Sequence, residues 1–118
     1  MESTIKPQIS WDDFSKIDIR IGRIIEAKPF PKARKPAYQL LLDFGDEIGK
    51  KKSSAQITKR YREEDLVGMQ VMAVVNFPPK QIANFWSECL VLGCLGEDHS
   101  DVVLLQTEQL VPNGWKVS

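Results

Sequence analysis

Residues 17–25 read Ile-Asp-Ile-Arg-Ile-Gly-Arg-Ile-Ile, and this stretch decides the fold of the chain. Up to Gly22 apolar and polar residues alternate, which is the period of a half-buried β-strand. The alternation breaks beyond the glycine, because Ile24 and Ile25 are adjacent. A glycine at such a break indicates a bulge or a sharp bend, which lets one strand serve two sheets as small barrels require.

The residues on either side supply the rest of a barrel. Strand periodicity and apolar runs predict further strands, while capping and turn residues predict two short helices and a basic, proline-rich loop. After the strand that begins at residue 17, the predicted strands cover 38–44, 50–57, 70–76, 88–95 and 102–106. A helix is predicted over 11–16, one or two helical turns within 58–67, and the loop over 29–36. Five principal strands, with one short helix between the third and fourth, predict an all-β, five-stranded OB-fold barrel with an N-terminal helix and C-terminal strands as extensions.

Length and composition favour one globular domain over residues 1–118, with 42% hydrophobic and 27% charged residues. No basic region at the N-terminus leads into an apolar stretch, so a secretory signal is not expected and the cytoplasm is the predicted location. Trp11, Phe14 and Trp115 lie outside the minimal barrel and would leave a large apolar patch on a monomer. The extensions 1–16 and 101–118 are therefore predicted to form a homodimer interface.

The charges are unevenly distributed, although 16 basic and 16 acidic residues give a net charge of zero. Residues 16–62 contain 13 basic and 5 acidic residues, a local net charge of +8, whereas residues 63–118 carry −6. A basic surface of this kind suits a polyanion such as nucleic acid. Solvation of exposed loops and strand faces is the alternative explanation of the same residues.

Nucleophilic catalysis, nucleotide hydrolysis and hydride transfer lack their usual sequence features. The single histidine, His99, lies in a polar turn, and no G-x-S-x-G, Walker or G-x-G-x-x-G sequence occurs. Cys89 and Cys94 are expected to be free, buried thiols, and with one histidine they are too few for a zinc site. We therefore expect no enzyme activity, no cofactor and no metal.

Binding of nucleic acid is the function that the remaining residues favour. Cationic side chains would contact phosphates, and aromatic side chains among them would let bases stack. The predicted phosphate contacts are Lys32, Arg34, Lys35, Lys50, Lys51, Lys52 and Lys80. The alternative is binding of unfolded polypeptide by apolar surface near Phe77, Phe85 and Trp86, and for Trp86 packing beneath its loop is equally open.

A family resemblance adds to these expectations. Residues 14–24, Phe-Ser-Lys-Ile-Asp-Ile-Arg-Ile-Gly-Arg-Ile, resemble the opening of the tRNA-binding OB domains, which is F-x-K-φ-D-φ-R-φ-G-x-I with φ apolar. Further matches follow in the family's order, namely Asp-Phe-Gly at 43–45, Leu-Val-Gly at 66–68, Val-Val-Asn at 74–76, and Ser87 followed by Leu-Val-Leu at 90–92. Segments 30–38, 51–58, 74–83 and 111–114 resemble the bacterial CsaA branch of that family in particular.

The resemblance implies a homodimer of OB folds that binds tRNA, with Asn76, Ser87 and Glu88 facing the RNA. CsaA proteins are also described as chaperone-like factors linked to the export of unfolded preproteins, so preproteins or export machinery are implied as alternative partners, without membrane insertion. Trp86 stands where that branch would have a basic residue. This change removes a phosphate contact, adds apolar surface and favours the peptide alternative locally.

Overall fold

The computed structural model describes residues 4–118, so the first three residues of the predicted N-terminal extension lie outside the described part. The secondary structure is mostly β, with two short helices. The helices are α1 (Trp11–Ser15) and α2 (Glu63–Leu66). The strands are β1 (Ile19–Pro29), β2 (Tyr38–Asp43), β3 (Lys50–Ala55), β4 (Gln70–Val74), β5 (Lys80–Ile82), β6 (Phe85–Ser87), β7 (Leu90–Val91), β8 (Gly93–Leu95), β9 (Val102–Leu104) and β10 (Lys116–Val117).

Strand β1 is the centre of the main sheet, whose order is β3-β2-β1-β4-β7 with antiparallel neighbours. The N-terminal part of β1 pairs with β4 and β10, and its C-terminal part pairs with β2. One strand thus serves both halves of a nearly closed five-stranded barrel, and the predicted OB-like fold is confirmed.

The predicted break in β1 is a bulge at Ile25, three residues beyond the glycine. Ile24 pairs with Leu42 and Glu26 pairs with Leu41, so the residue between them has no partner and the strand bends. Gly22 has a different role, because a Cβ atom there would lie 2.5–2.9 Å from carbon atoms of the Phe44 ring. The glycine therefore makes room for the largest side chain that is fully buried in the barrel.

The core lies inside the barrel and consists of residues at alternate strand positions. On β2 the burial alternates residue by residue, as the sequence predicts. The cluster extends to β9, whose Val102 and Leu104 are buried although they belong to the predicted C-terminal extension. Its main members are Ile24, Leu40, Leu42, Phe44, Ile57, Leu66, Val71, Ala73 and Val75.

Two local predictions were wrong. Residues 83–86, expected to be a loop, belong to the hairpin β5–β6, in which Ala83 takes the left-handed backbone conformation with a φ of 52°. The strand expected over 88–95 is divided into β7 and β8, and β8 pairs with β9 instead of joining the main sheet. The one or two helical turns expected within 58–67 are confirmed as the single turn α2, which Gly68 follows with a positive φ.

The two ends of the described chain lie beside β1. Ser10 and Asp13 form the predicted capping box of α1, and β10 pairs with the start of β1. Trp11 is 92% exposed and Trp115 57% exposed in the single chain, so an apolar surface is open there. Within residues 4–118, no helix has the length and apolar character needed to cross a membrane.

Candidate nucleic-acid interface

Three cation-bearing segments converge beside one end of the barrel: the loop 30–37, strand β3 and the hairpin β5–β6. Between them lies a depression of about 880 Å³, called here the cationic groove, to which Arg34, Lys35 and Lys80 contribute the charges. Its remaining lining residues are small, polar or aliphatic: Ala33, Ala37, Ser54, Gln56, Gln81, Ile82 and Ala83. The structure thus brings together predicted phosphate contacts that lie 45 residues apart in the sequence, from Lys35 to Lys80.

Next to it lies a second depression of about 480 Å³, called here the apolar groove. It shares Ser54, Lys80 and Ile82 with the cationic groove, so the two are adjacent. Apolar side chains dominate its other walls, with Ser87 and Glu88 as the polar exceptions. Those apolar residues are Phe77, Pro78, Pro79, Cys89 and Leu90.

Ion pairing separates the basic residues into two groups. Lys59 and Arg60 bind Asp98 and Asp101 across the barrel surface, and the Arg60 guanidinium lowers the pKa of Asp101. Lys16, Arg20, Lys28 and Arg62 are also paired with carboxylates. Within residues 4–118, no carboxylate oxygen lies within 4 Å of the side-chain nitrogens of the seven predicted phosphate contacts: Lys32, Arg34, Lys35, Lys50, Lys51, Lys52 and Lys80. Their charge is therefore uncompensated at short range.

The three consecutive lysines of β3 do not share one face. The side chains of Lys50 and Lys52 point to one face of the strand, and that of Lys51 points to the other. Lys51 pairs with Leu42, whose buried side chain points into the barrel. Lys51 is half-buried. Burial raises the pKa of the nearby Cys89 thiol, and the positive charge of Lys51 opposes part of that rise. The three predicted phosphate contacts on β3 therefore do not form a single cluster, because a strand sends neighbouring side chains to opposite sides.

Lys52 lies above an aromatic ring instead of a carboxylate. Its Nζ is 5.3 Å from the centre of the Phe85 ring, which is within cation–π range. Phe85 in turn packs against Phe30, with 5.4 Å between the ring centres and a 57° angle between the planes. This stack joins all three cation-bearing segments, since Phe30 begins the loop, Lys52 is on β3 and Phe85 is on β6.

Ser87 and Glu88 close the barrel beside β3, along what is called here the seam. The Glu88 carboxylate accepts a 2.9 Å hydrogen bond from the backbone N–H of Lys52, and the Ser87 hydroxyl oxygen accepts a 3.0 Å bond from that of Ser54. The backbone N–H of Glu88 donates to the Lys52 carbonyl at 2.7 Å. Both side chains thus replace backbone acceptors where regular strand pairing is interrupted, a role that sequence analysis missed.

Asn76 is also engaged by the backbone. Its side-chain amide donates to the carbonyl oxygen of Lys16 at 2.7 Å and accepts from the N–H of Asp18 at 3.0 Å. It joins the end of β4 to the segment between α1 and β1 and lines neither groove. An RNA-facing role for Asn76 stays a prediction, and its side chain already has a structural role.

The three residues proposed for peptide binding do not form one surface. Phe77 is 54% exposed and lines the apolar groove, whereas Phe85 is half-buried beneath Lys52. Trp86 pairs with Gln81 on the face of the hairpin opposite to Phe85, and it is 48% exposed. Trp86 is thus a surface residue of a strand and does not pack beneath a loop.

The two cysteines lie in different environments. Burial raises the pKa of the Cys89 thiol to about 12, and this thiol donates to the Lys52 carbonyl at 3.7 Å. Cys94 is exposed on β8, which contradicts the expectation that both cysteines are buried. A buried thiol with so high a pKa is almost entirely protonated at neutral pH and is a poor nucleophile.

Comparison with known proteins identifies the family. The family model described as "Putative tRNA binding domain" matches residues 19–116. The chain belongs to this family. Methionine–tRNA ligases of Protochlamydia amoebophila and Pyrococcus abyssi are each 36% identical to the chain over 92% of its length. The match covers 15% and 14% of those enzymes, so the chain spans about a seventh of the length of these curated relatives.

Solved structures resemble the chain over its full fold. The chaperone CsaA of Bacillus anthracis is 54% identical with a TM-score of 0.90, and the match covers 95% of this chain and 100% of that one. The CsaA chaperone protein of Picrophilus torridus is 52% identical with a TM-score of 0.87, covering 94% and 100%. The chain is therefore similar to CsaA structures that consist of this domain alone, as the sequence resemblance implies.

Proposed function

We propose that this protein is a non-enzymatic, structure-specific tRNA-binding protein of the CsaA type, which holds phosphates of folded tRNA in the cationic groove. The observation that carries the proposal is the uncompensated charge of Arg34, Lys35 and Lys80, which converge on one concave surface. Lys59, Arg60 and Arg62, by contrast, are paired with carboxylates. A polyanion would supply the missing partners.

The lining of the groove supports recognition of shape rather than base sequence. Among the described residues, no aromatic side chain lines the cationic groove, so it offers bases no surface on which to stack. The face of Phe85 is covered by the Lys52 ammonium. Cations and amide side chains contact backbone phosphates, and their fixed spacing selects the phosphate arrangement of a folded RNA.

The extensions support a homodimer as the acting form, with Trp11, Phe14 and Trp115 at the interface. Pairing two chains through these residues would cover apolar surface and give one particle two cationic grooves. Sedimentation equilibrium should give twice the 13.4 kDa chain mass at micromolar concentration. A stable monomer would contradict this proposal.

We also propose a cytoplasmic location, because the proposed partner, tRNA, acts there.

Two triple variants with equal charge change test the RNA proposal. The first replaces Arg34, Lys35 and Lys80 by Gln. The control replaces Lys59, Arg60 and Arg62, whose charges are already paired. Each lost phosphate contact reduces the steepness of log affinity against log salt by roughly 0.7–0.9, so the groove variant should lose about 2–3 units of slope and roughly 100-fold in affinity at 0.1 M salt.

The control should change tRNA affinity and slope much less, because paired charges release fewer counterions. Equal losses in both variants would mean that net charge alone drives binding. No loss in either variant would remove the cationic groove from the account. Far-ultraviolet circular dichroism of both proteins establishes that the barrel is intact.

A chaperone role is a second candidate, in which unfolded preproteins are the partners and export machinery receives them. The observation that favours it is the apolar groove, with Phe77 and Leu90 about half exposed on its walls. Phe77→Gln should then weaken suppression of aggregation of an unfolded client, with unchanged tRNA affinity. Unchanged suppression would exclude the apolar groove as the client site.

A further inference from the structure

We infer that Phe85, supported by Phe30, is a positioning residue that holds the Lys52 ammonium for contact with RNA phosphate. This inference rests on the proposed function and refines it. It assigns Phe85 a part in the cationic surface, in place of the peptide contact that sequence reasoning gave it.

The hairpin geometry directs the ring toward the barrel. In the register of β5–β6, Phe85 pairs with Ile82, so both side chains point to the same face, while Gln81 and Trp86 point to the other. Phe30 is almost completely buried, and its backbone N–H donates to the Ala37 carbonyl at 3.2 Å. The ring under Lys52 therefore rests on a fixed side chain at the base of the basic loop.

A ring holds a lysine differently from a carboxylate. A carboxylate such as Asp98, which binds Lys59, cancels most of the charge that a phosphate would need. The face of Phe85 attracts the ammonium through its quadrupole and leaves the full positive charge and the outward N–H donors available. It also restricts a flexible side chain before RNA arrives, which reduces the entropy lost on binding.

Phe85→Leu tests this inference, because leucine keeps apolar volume and removes the π face. The matched control is Trp86→Leu, one residue away on the opposite face of the same hairpin. In the free protein, the ε-methylene protons of Lys52 should lie upfield in the proton NMR spectrum from the ring current, and only Phe85→Leu should abolish that shift. Phe85→Tyr, which keeps the π face, should preserve it.

Binding of tRNA supplies the functional test. Loss of a cation–π contact at this exposure should lower the tRNA affinity of Phe85→Leu about two- to fivefold. Phe85→Tyr and Trp86→Leu should bind tRNA with the affinity of the parent protein. In a Lys52→Gln background, Phe85→Leu should have no further effect, because the residue acts through the lysine.

Three results would overturn the inference. Parent-like affinity of Phe85→Leu would do so while leaving the proposed function standing. An equal loss with and without Lys52 would show that Phe85 only shapes the barrel. Absence of tRNA binding by the parent would overturn the proposed function and this inference with it. Thermal unfolding of each variant identifies a protein that has failed to fold. If Phe85→Leu does not fold, Phe85→Tyr tests the inference instead, because it should keep the upfield shift of the Lys52 ε-methylene protons.

Discussion

Removing the Glu88 side chain should destabilise the barrel before it affects RNA. Glu88→Ala deletes the acceptor for the backbone N–H of Lys52 at the seam. An unsatisfied backbone donor costs about 1–3 kcal/mol, and this group is only partly screened by water. With about 2.1 cal/mol/K of unfolding entropy per residue, a chain of this length loses roughly 4 °C in Tm for each kcal/mol. The expected change in Tm is therefore about −4 to −12 °C.

Glu88→Gln is the matched comparison, because its amide oxygen still accepts the hydrogen bond. It should cost less than about 1 kcal/mol, the difference between a charged and a neutral acceptor. Glu88 also lines the apolar groove next to Lys80, so loss of its negative charge should leave tRNA affinity equal or higher. The assay is thermal unfolding by circular dichroism, together with tRNA binding. A parent-like Tm for Glu88→Ala, or a large loss of RNA affinity for Glu88→Gln, would refute the seam role.

Three further predictions address the core, the thiols and β3. Gly22→Ala should cost about 1–3 kcal/mol in chemical denaturation, because the added methyl group overlaps an aromatic ring, and unchanged stability would contradict that packing. Iodoacetamide at pH 8 should label Cys94 and spare Cys89, whose pKa is raised to about 12, and peptide mass spectrometry would show any labelling of the buried thiol. Lys50→Gln should weaken tRNA binding more than Lys51→Gln, which alters the half-buried side of the strand; the reverse order would count against the placement.

The barrel could be predicted because its first two strands carry apolar and polar residues in alternation. Residues 17–22 and 38–44 alternate clearly in sequence, and most of them lie in β1 and β2. Burial follows this alternation along β2, whereas on β1 the polar Arg20 is buried as well. The position of the bulge could not be located, since Gly22 and the adjacent isoleucines both mark the same break in period. The structure assigns the two roles: the close approach of the Phe44 ring requires a glycine at position 22, and the strand pairing places the bend at Ile25.

The missed features depend on short strands or on contacts distant in sequence. Strands β5 and β6 have three residues each, which is too short for periodicity to indicate a strand. The pairing of Arg60 with Asp101 joins residues 41 positions apart, so the sequence could not show which cations are neutralised. The cations of the cationic groove could be predicted from the clustering of basic residues in the sequence. The seam role of Ser87 could not, because it depends on a hydrogen bond to Ser54, a residue 33 positions away.

The most direct test of the central claim is the salt dependence of tRNA binding by the parent protein. Affinity for folded tRNA should be measured between 50 and 500 mM salt, beside a single-stranded RNA of equal length. If four to seven of the uncompensated cations contact phosphate, log affinity should fall with log salt with a slope of roughly −3 to −6, and folded tRNA should bind more tightly than the single strand. A slope near zero, or equal affinity for the two RNAs, would contradict recognition of tRNA by its arrangement of phosphates.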